Sequence, residues 1–154
     1  MTRDIEISNQ YQRLKFSEAD VINTINIFDQ FEKYSLPDGD LSIAFISDES
    51  IASLHDEFLN DATPTDVITF IGDPDMQFAG EICISVDHAI KSAQELALSV
   101  QEELTLYIIH GCLHLAGLND LNEDDKKQMR SAETETMDYL KSKAAIPDFN
   151  IEIQ

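Results

Sequence analysis

Basic side chains are scarce in this chain. Ten lysines and arginines face thirty aspartates and glutamates, leaving a formal charge of −20 over 154 residues. Proteins that bind nucleic acid usually neutralise phosphates with a basic footprint, so generic affinity for RNA is expected to be poor. A small local patch is compatible with that total, and Arg3, Arg13, Lys15, Lys126, Lys127 and Arg130 are the material for one. Cysteine is sparser still. Cys83 falls in an apparent strand and Cys112 in an apolar helix, and both read as reduced core residues rather than a disulfide. No apolar run is long enough to span a bilayer, and Met1-Thr2-Arg3-Asp4 opens no basic-then-apolar leader. A cytoplasmic protein with no membrane partner is therefore expected. Repeats, low-complexity stretches and linkers are missing too. A length of 154 residues at 43% hydrophobic content suits one domain, 1–154, with a core of its own.

Periodicity outlines that domain. Ser17-Glu18-Ala19-Asp20 has the pattern of a helix cap with an acid three residues on, and Val21, Ile22, Ile25, Phe28 and Phe31 continue as an apolar stripe over about 18–34. Pro37-Asp38-Gly39-Asp40 is a turn, after which Leu41, Ile43 and Phe45 alternate through a strand ending near Ile46. A helix follows from about Asp48 to Leu59. Val67 to Phe70 and Glu81 to Val86 are β-branched-rich runs joined by Gly72-Asp73-Pro74-Asp75, which predicts an antiparallel pair. Val86, Ala89, Ile90, Ala93 and Leu96 mark a third helix. From about Gln101 to Ala116 the chain is apolar nearly all round, the pattern of a buried helix. The last helix is expected over about 121–143 with Met129, Ala132, Met137 and Leu140 inward, and the tail from Pro147 as irregular chain or a short strand.

The buried helix ends in the string His110-Gly111-Cys112-Leu113-His114-Leu115-Ala116-Gly117-Leu118-Asn119-Asp120. Histidines four apart lie one above the other on a helix face. Inside an apolar helix they need partners, because an unsatisfied buried polar group costs about 1–3 kcal/mol. One metal ion would satisfy both, and so would carbonyls or carboxylates. Gly117 can adopt the left-handed conformation that closes a helix, and three further residues can swing Asp120 back toward the histidine face. His110, His114 and Asp120 would leave a fourth position for water, the composition of a catalytic rather than a structural zinc site. Asp120 has a second reading as a helix cap, since Asp-Leu-Asn-Glu at 120–123 is a good capping string; Asn119 could take the cap instead. His55 and His88 lie outside the motif, in ordinary solvated or capping positions. Zincin proteases carry a glutamate directly after the first histidine, and here that residue is Gly111, which disfavours peptide hydrolysis.

Residues 110–117 match all six fixed positions that open the His-Gly-x-Leu-His-Leu-x-Gly-Tyr-Asp-His signature of the YbeY family, metal-dependent endoribonucleases of rRNA maturation, and the chain resembles that family. Pro64-Thr65-Asp66-Val67-Ile68-Thr69-Phe70 is similar to its Thr-Asp-Val-Leu-Ser-Phe segment, and Gly80-Glu81-Ile82-Cys83-Ile84-Ser85 to its next strand, so the likeness runs over roughly residues 40–140. Two positions depart. The family's Tyr-Asp-His reads Leu118-Asn119-Asp120, and its arginine upstream of Thr-Asp-Val aligns with Leu59. Aspartate for histidine lowers the net charge of the site by one and should weaken the metal as a Lewis acid. Loss of the arginine removes phosphate stabilisation of a kind worth powers of ten in rate. Weak nuclease activity is the expectation, with Lys126, Lys127 or Arg130 as cations that could substitute from the next helix. Asp66 matches a family position where it would either orient a ligand histidine or serve the turn after Pro64.

The resemblance implies an α+β fold: a mixed sheet of about four strands packed with a buried metal-binding helix and surrounding helices, zincin-like. It implies a zinc-dependent, single-strand-specific endoribonuclease of rRNA maturation and ribosome quality control, with one Zn2+ per chain on His110, His114 and Asp120. Its partner would be rRNA and not DNA. One rival is a non-catalytic ribosome-assembly factor with a structural metal, its acidic surface docked on a basic ribosomal protein. Another is a metal hydrolase of other substrates; two histidines and a carboxylate also suit iron(II) oxygenases, although those ligands normally come from strands.

Overall fold

The computed structural model describes residues 3–60, 63 and 65–153. Along the chain lie β1 (Ile5–Asn9), β2 (Leu14–Lys15), α1 (Glu18–Gln30), β3 (Asp40–Ile46), α2 (Asp48–Leu59) and β4 (Val67–Asp73). Then come β5 (Phe78–Ser85), α3 (Val86–Leu96), α4 (Val100–Leu115), α5 (Glu123–Ser142) and β6 (Asn150–Ile151). The main sheet has the order β1-β3-β5-β4. β3 runs parallel to β1 and β5, whereas β4 returns antiparallel to β5, with Val67 opposite Ile84 and Asp73 opposite Phe78. This is the α+β, mixed four-stranded arrangement that the sequence predicts.

Alternation along the strands assigns the two faces of the sheet. Leu41, Ile43 and Phe45 of β3, with Ile82 and Ile84 of β5, enter the main core beneath α4. Ala44, Ile46 and Cys83 point the other way, where Ile51 of α2 covers them. Residues facing opposite sides at a period of two are what a sheet covered on both faces requires. α4 packs against β4 and β5 and is flanked by α3 and α5. Its seat is close: a Cβ added to Gly111 would stand 2.6 Å from Cγ2 of Ile82. Both cysteines are buried and unbridged, as expected.

Several expectations need correcting. α1 stops at Gln30 rather than near 34, because the amide of Phe31 closes onto the carbonyls of Ile27 and Phe28 and the Phe31 ring turns to stack on Tyr139 at 4.4 Å. Ser17 is its N-cap by position but makes no side-chain capping bond. β4 and β5 extend to Asp73 and back to Phe78, and only the short helical turn Pro74–Met76 joins them. β1 and β2 lie outside the elements that periodicity outlines, whereas β6 is a short strand in the tail after Pro147, one of the two forms expected there. Pro64, one end of the expected turn before β4, lies outside the described residues. No helix among the described residues is long and apolar enough to cross a membrane.

Candidate metal centre

The left-handed exit from α4 is built as the glycine suggests. Ala116 closes the helix, Gly117 takes φ +108°, and the amides of Gly117 and Leu118 donate to the carbonyls of His114 and Leu113 at 3.0 Å each. That pair of bonds is a Schellman motif. A Cβ at Gly117 would meet no atom within 4 Å, so backbone conformation rather than space asks for glycine there. The reversal aims the Leu118 carbonyl at the helix it has just left, where it accepts a 3.0 Å hydrogen bond from Nδ1 of His114. It also carries Asp120 up to the histidine face.

His110 and His114 stand edge to face, ring centres 4.6 Å apart at 84°. Oδ2 of Asp120 is 4.0 Å from Nε2 of His110 and 3.7 Å from Nε2 of His114. One ligand atom from each of the three lies within 4.8 Å of the others. Nδ1 of His110 is engaged as well, 3.3 Å from Oε2 of Glu133. With both Nδ1 atoms acting as donors, the Nε2 atom of each neutral imidazole carries the lone pair and faces the Asp120 carboxylate. A tetrahedral ion about 2.1 Å from each donor needs donors roughly 3.4 Å apart. The observed spacing fits such an ion after a slight closure. The histidine side chains are 22% and 23% exposed and that of Asp120 is 47% exposed, so the donors are reachable from solvent.

The capping alternative for Asp120 fails. Asn122 caps α5, accepting from the amide of Asp125 at 2.9 Å, so neither Asp120 nor Asn119 is the cap. The electrostatics of the two imidazoles differ. Burial opposes a charge on His110, but the hydrogen bond and charge of Glu133 together with the charges of Asp66 and Asp120 outweigh it, so its pKa lies above the ordinary imidazole value. His114 goes the other way: burial and then the neighbouring His110 lower its pKa against the pull of Asp120.

Other candidates fall elsewhere. His88 shares a 2.9 Å hydrogen bond with the Tyr107 hydroxyl, and Nδ1 of His55 lies 2.9 Å from the Thr63 carbonyl; neither joins the triad. Asp66 serves its turn, accepting from the amide of Val67 at 2.8 Å and from Oγ1 of Thr65 at 3.3 Å, and reaches His110 through its charge alone. Leu59 is the exposed last residue of α2. Of the six scattered cations, Lys126 and Arg130 line a hollow of about 220 Å³ with His110, Asp120, Met129 and Glu133. Arg3 is consumed structurally, its buried guanidinium bound to Asp29 and to the carbonyls of Pro37 and Gly39. Glu133 is the residue that sequence reasoning passed over. Its signal was present, because Glu133 interrupts the buried stripe Met129, Ala132, Thr136, Met137 and Leu140, and an acid on the inward face of a helix needs a partner.

Comparison with known proteins agrees with this geometry. A family model described as Endoribonuclease YbeY matches residues 5–141. A protein named Endoribonuclease YbeY from Protochlamydia amoebophila is 38% identical over 141 residues, spanning 89% of this chain and 93% of its own. Its namesake from Chlamydia muridarum is 30% identical over 148 residues, spanning 92% and 91%. The solution structure of a Thermotoga maritima protein superimposes with a TM-score of 0.64 over 90% of each chain at 22% identity, a likeness of fold. With the family match spanning nearly all of the sheet, α4 and most of α5, and with relatives that align almost end to end, the chain belongs to the YbeY family.

Proposed function

We propose that this chain is a metal-dependent, single-strand-specific endoribonuclease that holds one zinc ion on His110, His114 and Asp120, with 1–154 acting as a single catalytic domain. The observation that carries the reading is the pair of Nε2 atoms, each facing the Asp120 carboxylate while its Nδ1 is engaged elsewhere, in a chain of this family. The Protochlamydia and Chlamydia proteins are named as endoribonucleases, which supports the same reaction class here. Two imidazoles and one carboxylate suit zinc with a position left for water.

Zinc bound there would supply Lewis acidity toward a phosphoryl oxygen and toward water. The chain does the rest. Glu133 and the Leu118 carbonyl fix the tautomer and orientation of the two imidazoles. Gly111 lets the helix press against β5 and adds no side chain of its own next to His110. Maturation and quality control of rRNA in the cytoplasm is the setting that fits this activity. The charge of −20 favours delivery to RNA through a basic ribosomal protein over generic contact with the strand.

Metal content by mass spectrometry, on native protein and Asp120→Ala after identical dialysis, paired with cleavage of a labelled single-stranded RNA, tests the reading. The expected result is one zinc per chain and RNA cleavage in the native protein, both falling sharply in the variant. Zinc with no cleavage would replace the enzyme by a metal-stabilised assembly factor. A native chain that takes up no metal would overturn the site.

A further inference from the structure

We infer that Lys126 and Arg130 form a phosphate-binding subsite beside the metal centre, taking a phosphodiester of the RNA strand. The choice of ligand rests on the endoribonuclease reading. Lys126 and Arg130 are four apart on α5 and so project from one face of it, and both line the 220 Å³ hollow that His110 and Asp120 also line. Pockets that engulf a whole small-molecule ligand run to about 300–1,000 Å³. This one suits a compact group such as a phosphate, with base and sugar outside.

Lys126 and Arg130 are the fixed cations of the hollow and the groups in it that can meet an anion. Asp120 and Glu133 contribute carboxylates to its wall, which would repel a phosphate. Glu133 is turned to His110, and Asp120 to both imidazoles. Lys126 has a partner in Glu123 at 3.8 Å, an exposed pair on its own helix that water and other anions readily exchange. Arg130 has no ion pair among the described residues, and its planar fork matches two phosphate oxygens at once. In a chain of charge −20 with ten basic residues, two cations beside the metal site offset the two carboxylates that share the hollow, a local balance within a strongly acidic chain. Lys127, on the same helix, does not line the hollow.

The test is the salt dependence of binding to a fluorescein-labelled 2′-O-methyl oligonucleotide, which cannot be cleaved by attack of its own 2′-oxygen, followed by anisotropy on metal-free protein. The double variant Lys126→Gln/Arg130→Gln is compared with Lys127→Gln/Lys143→Gln, which changes net charge equally and so shares the same long-range repulsion. Two lost phosphate contacts on a single strand are expected to flatten the plot of log affinity against log salt by about 1.4, roughly a 25-fold smaller change over a tenfold salt range. The control is expected to keep the native slope. Equal slopes in all three proteins, equal flattening in both variants, or no binding by the native chain at low salt would each overturn the subsite. Cleavage of unmodified RNA by the zinc-loaded native chain is scored separately. Cleavage with equal slopes sinks the subsite alone; a selective flattening without cleavage supports the subsite and sinks the proposed activity.

Discussion

Nδ1 of His110 lies 3.3 Å from the carboxylate of Glu133, a hydrogen bond that crosses from α4 to α5. An imidazole that donates to a carboxylate behind it is fixed in one tautomer and made more basic, and loss of such a partner typically costs about 10–100-fold in metal affinity. Glu133→Gln is expected to lower zinc affinity by about that factor near pH 8, measured by competition with a chelator. Near pH 6 the deficit is expected to shrink. Burial lowers the His110 pKa, and Glu133 leads the groups that together raise it above the ordinary value, so a proton competes with zinc more strongly in the native protein than in the variant. The same deficit at both pH values would contradict the assignment.

Asp120→His keeps a donor at the third position and removes one negative charge. Zinc retention is expected. RNA cleavage should quicken by about tenfold for each pKa unit by which the charge change makes bound water more acidic. Initial rates on one labelled RNA, with Asp120→Ala as the inactive reference, measure it. A histidine variant no faster than native would show that the charge at this position does not limit the rate.

Gly111→Ala places a Cβ 2.6 Å from Cγ2 of Ile82 and 3.0 Å from its Cδ1. Overpacking of this kind costs about 1–3 kcal/mol, and the better helix propensity of alanine returns up to about 1 kcal/mol. The expected net is a loss of roughly 1–2 kcal/mol, seen as a melting temperature lower by about 2–4 °C per kcal/mol. Zinc affinity should fall with it where α4 relieves the clash by lifting His110 away from β5. An unchanged melting temperature would mean that Ile82 repacks without strain.

Tyr11 donates to Oδ1 of Asp87 at 2.5 Å, and Oδ2 of Asp87 accepts from the amide of Asp48 at 2.8 Å, which ties the turn after β1 to the first turns of α2 and α3. Burial and then the Asp87 carboxylate push the Tyr11 pKa up from 10.0 to about 12. Because the folded value is the higher one, this contribution to stability is whole below pH 10 and is lost as pH rises from there to about 12. Tyr11→Phe is expected to cost about 1 kcal/mol at neutral pH and to flatten the alkaline decline. Urea unfolding near pH 8 and pH 11 checks both; a variant that declines as steeply as native would place the alkaline loss elsewhere.

Elements with a strong local period were readable from sequence. The Asp48–Leu59 helix appears at the expected bounds, and α3, α4 and the β4–β5 pair fall where their apolar patterns place them. The three donors were readable because helical spacing and a terminal glycine are local signals. The remainder depends on distant partners. β1 offers only Ile5 and Ile7 in alternation, and its strand identity comes from pairing with β3. β2 and β6 are two residues each and exist through pairing of Leu14 with Ile151 and of Lys15 with Asn150. α1 ends early for the sake of a ring stacked on Tyr139. Capping by Asn122 rather than by Asp120 or Asn119 was a choice among three competent neighbours that local pattern could not rank.

The donors and the groups that orient them, from His110 to Glu133, come from one uninterrupted stretch of chain, while every strand of the main sheet precedes it. A ribosome therefore releases the strands of the floor under α4 before it releases the helix that carries His110 and His114. The ion site can then close by a local helix–turn–helix movement, without waiting for contacts from far along the chain.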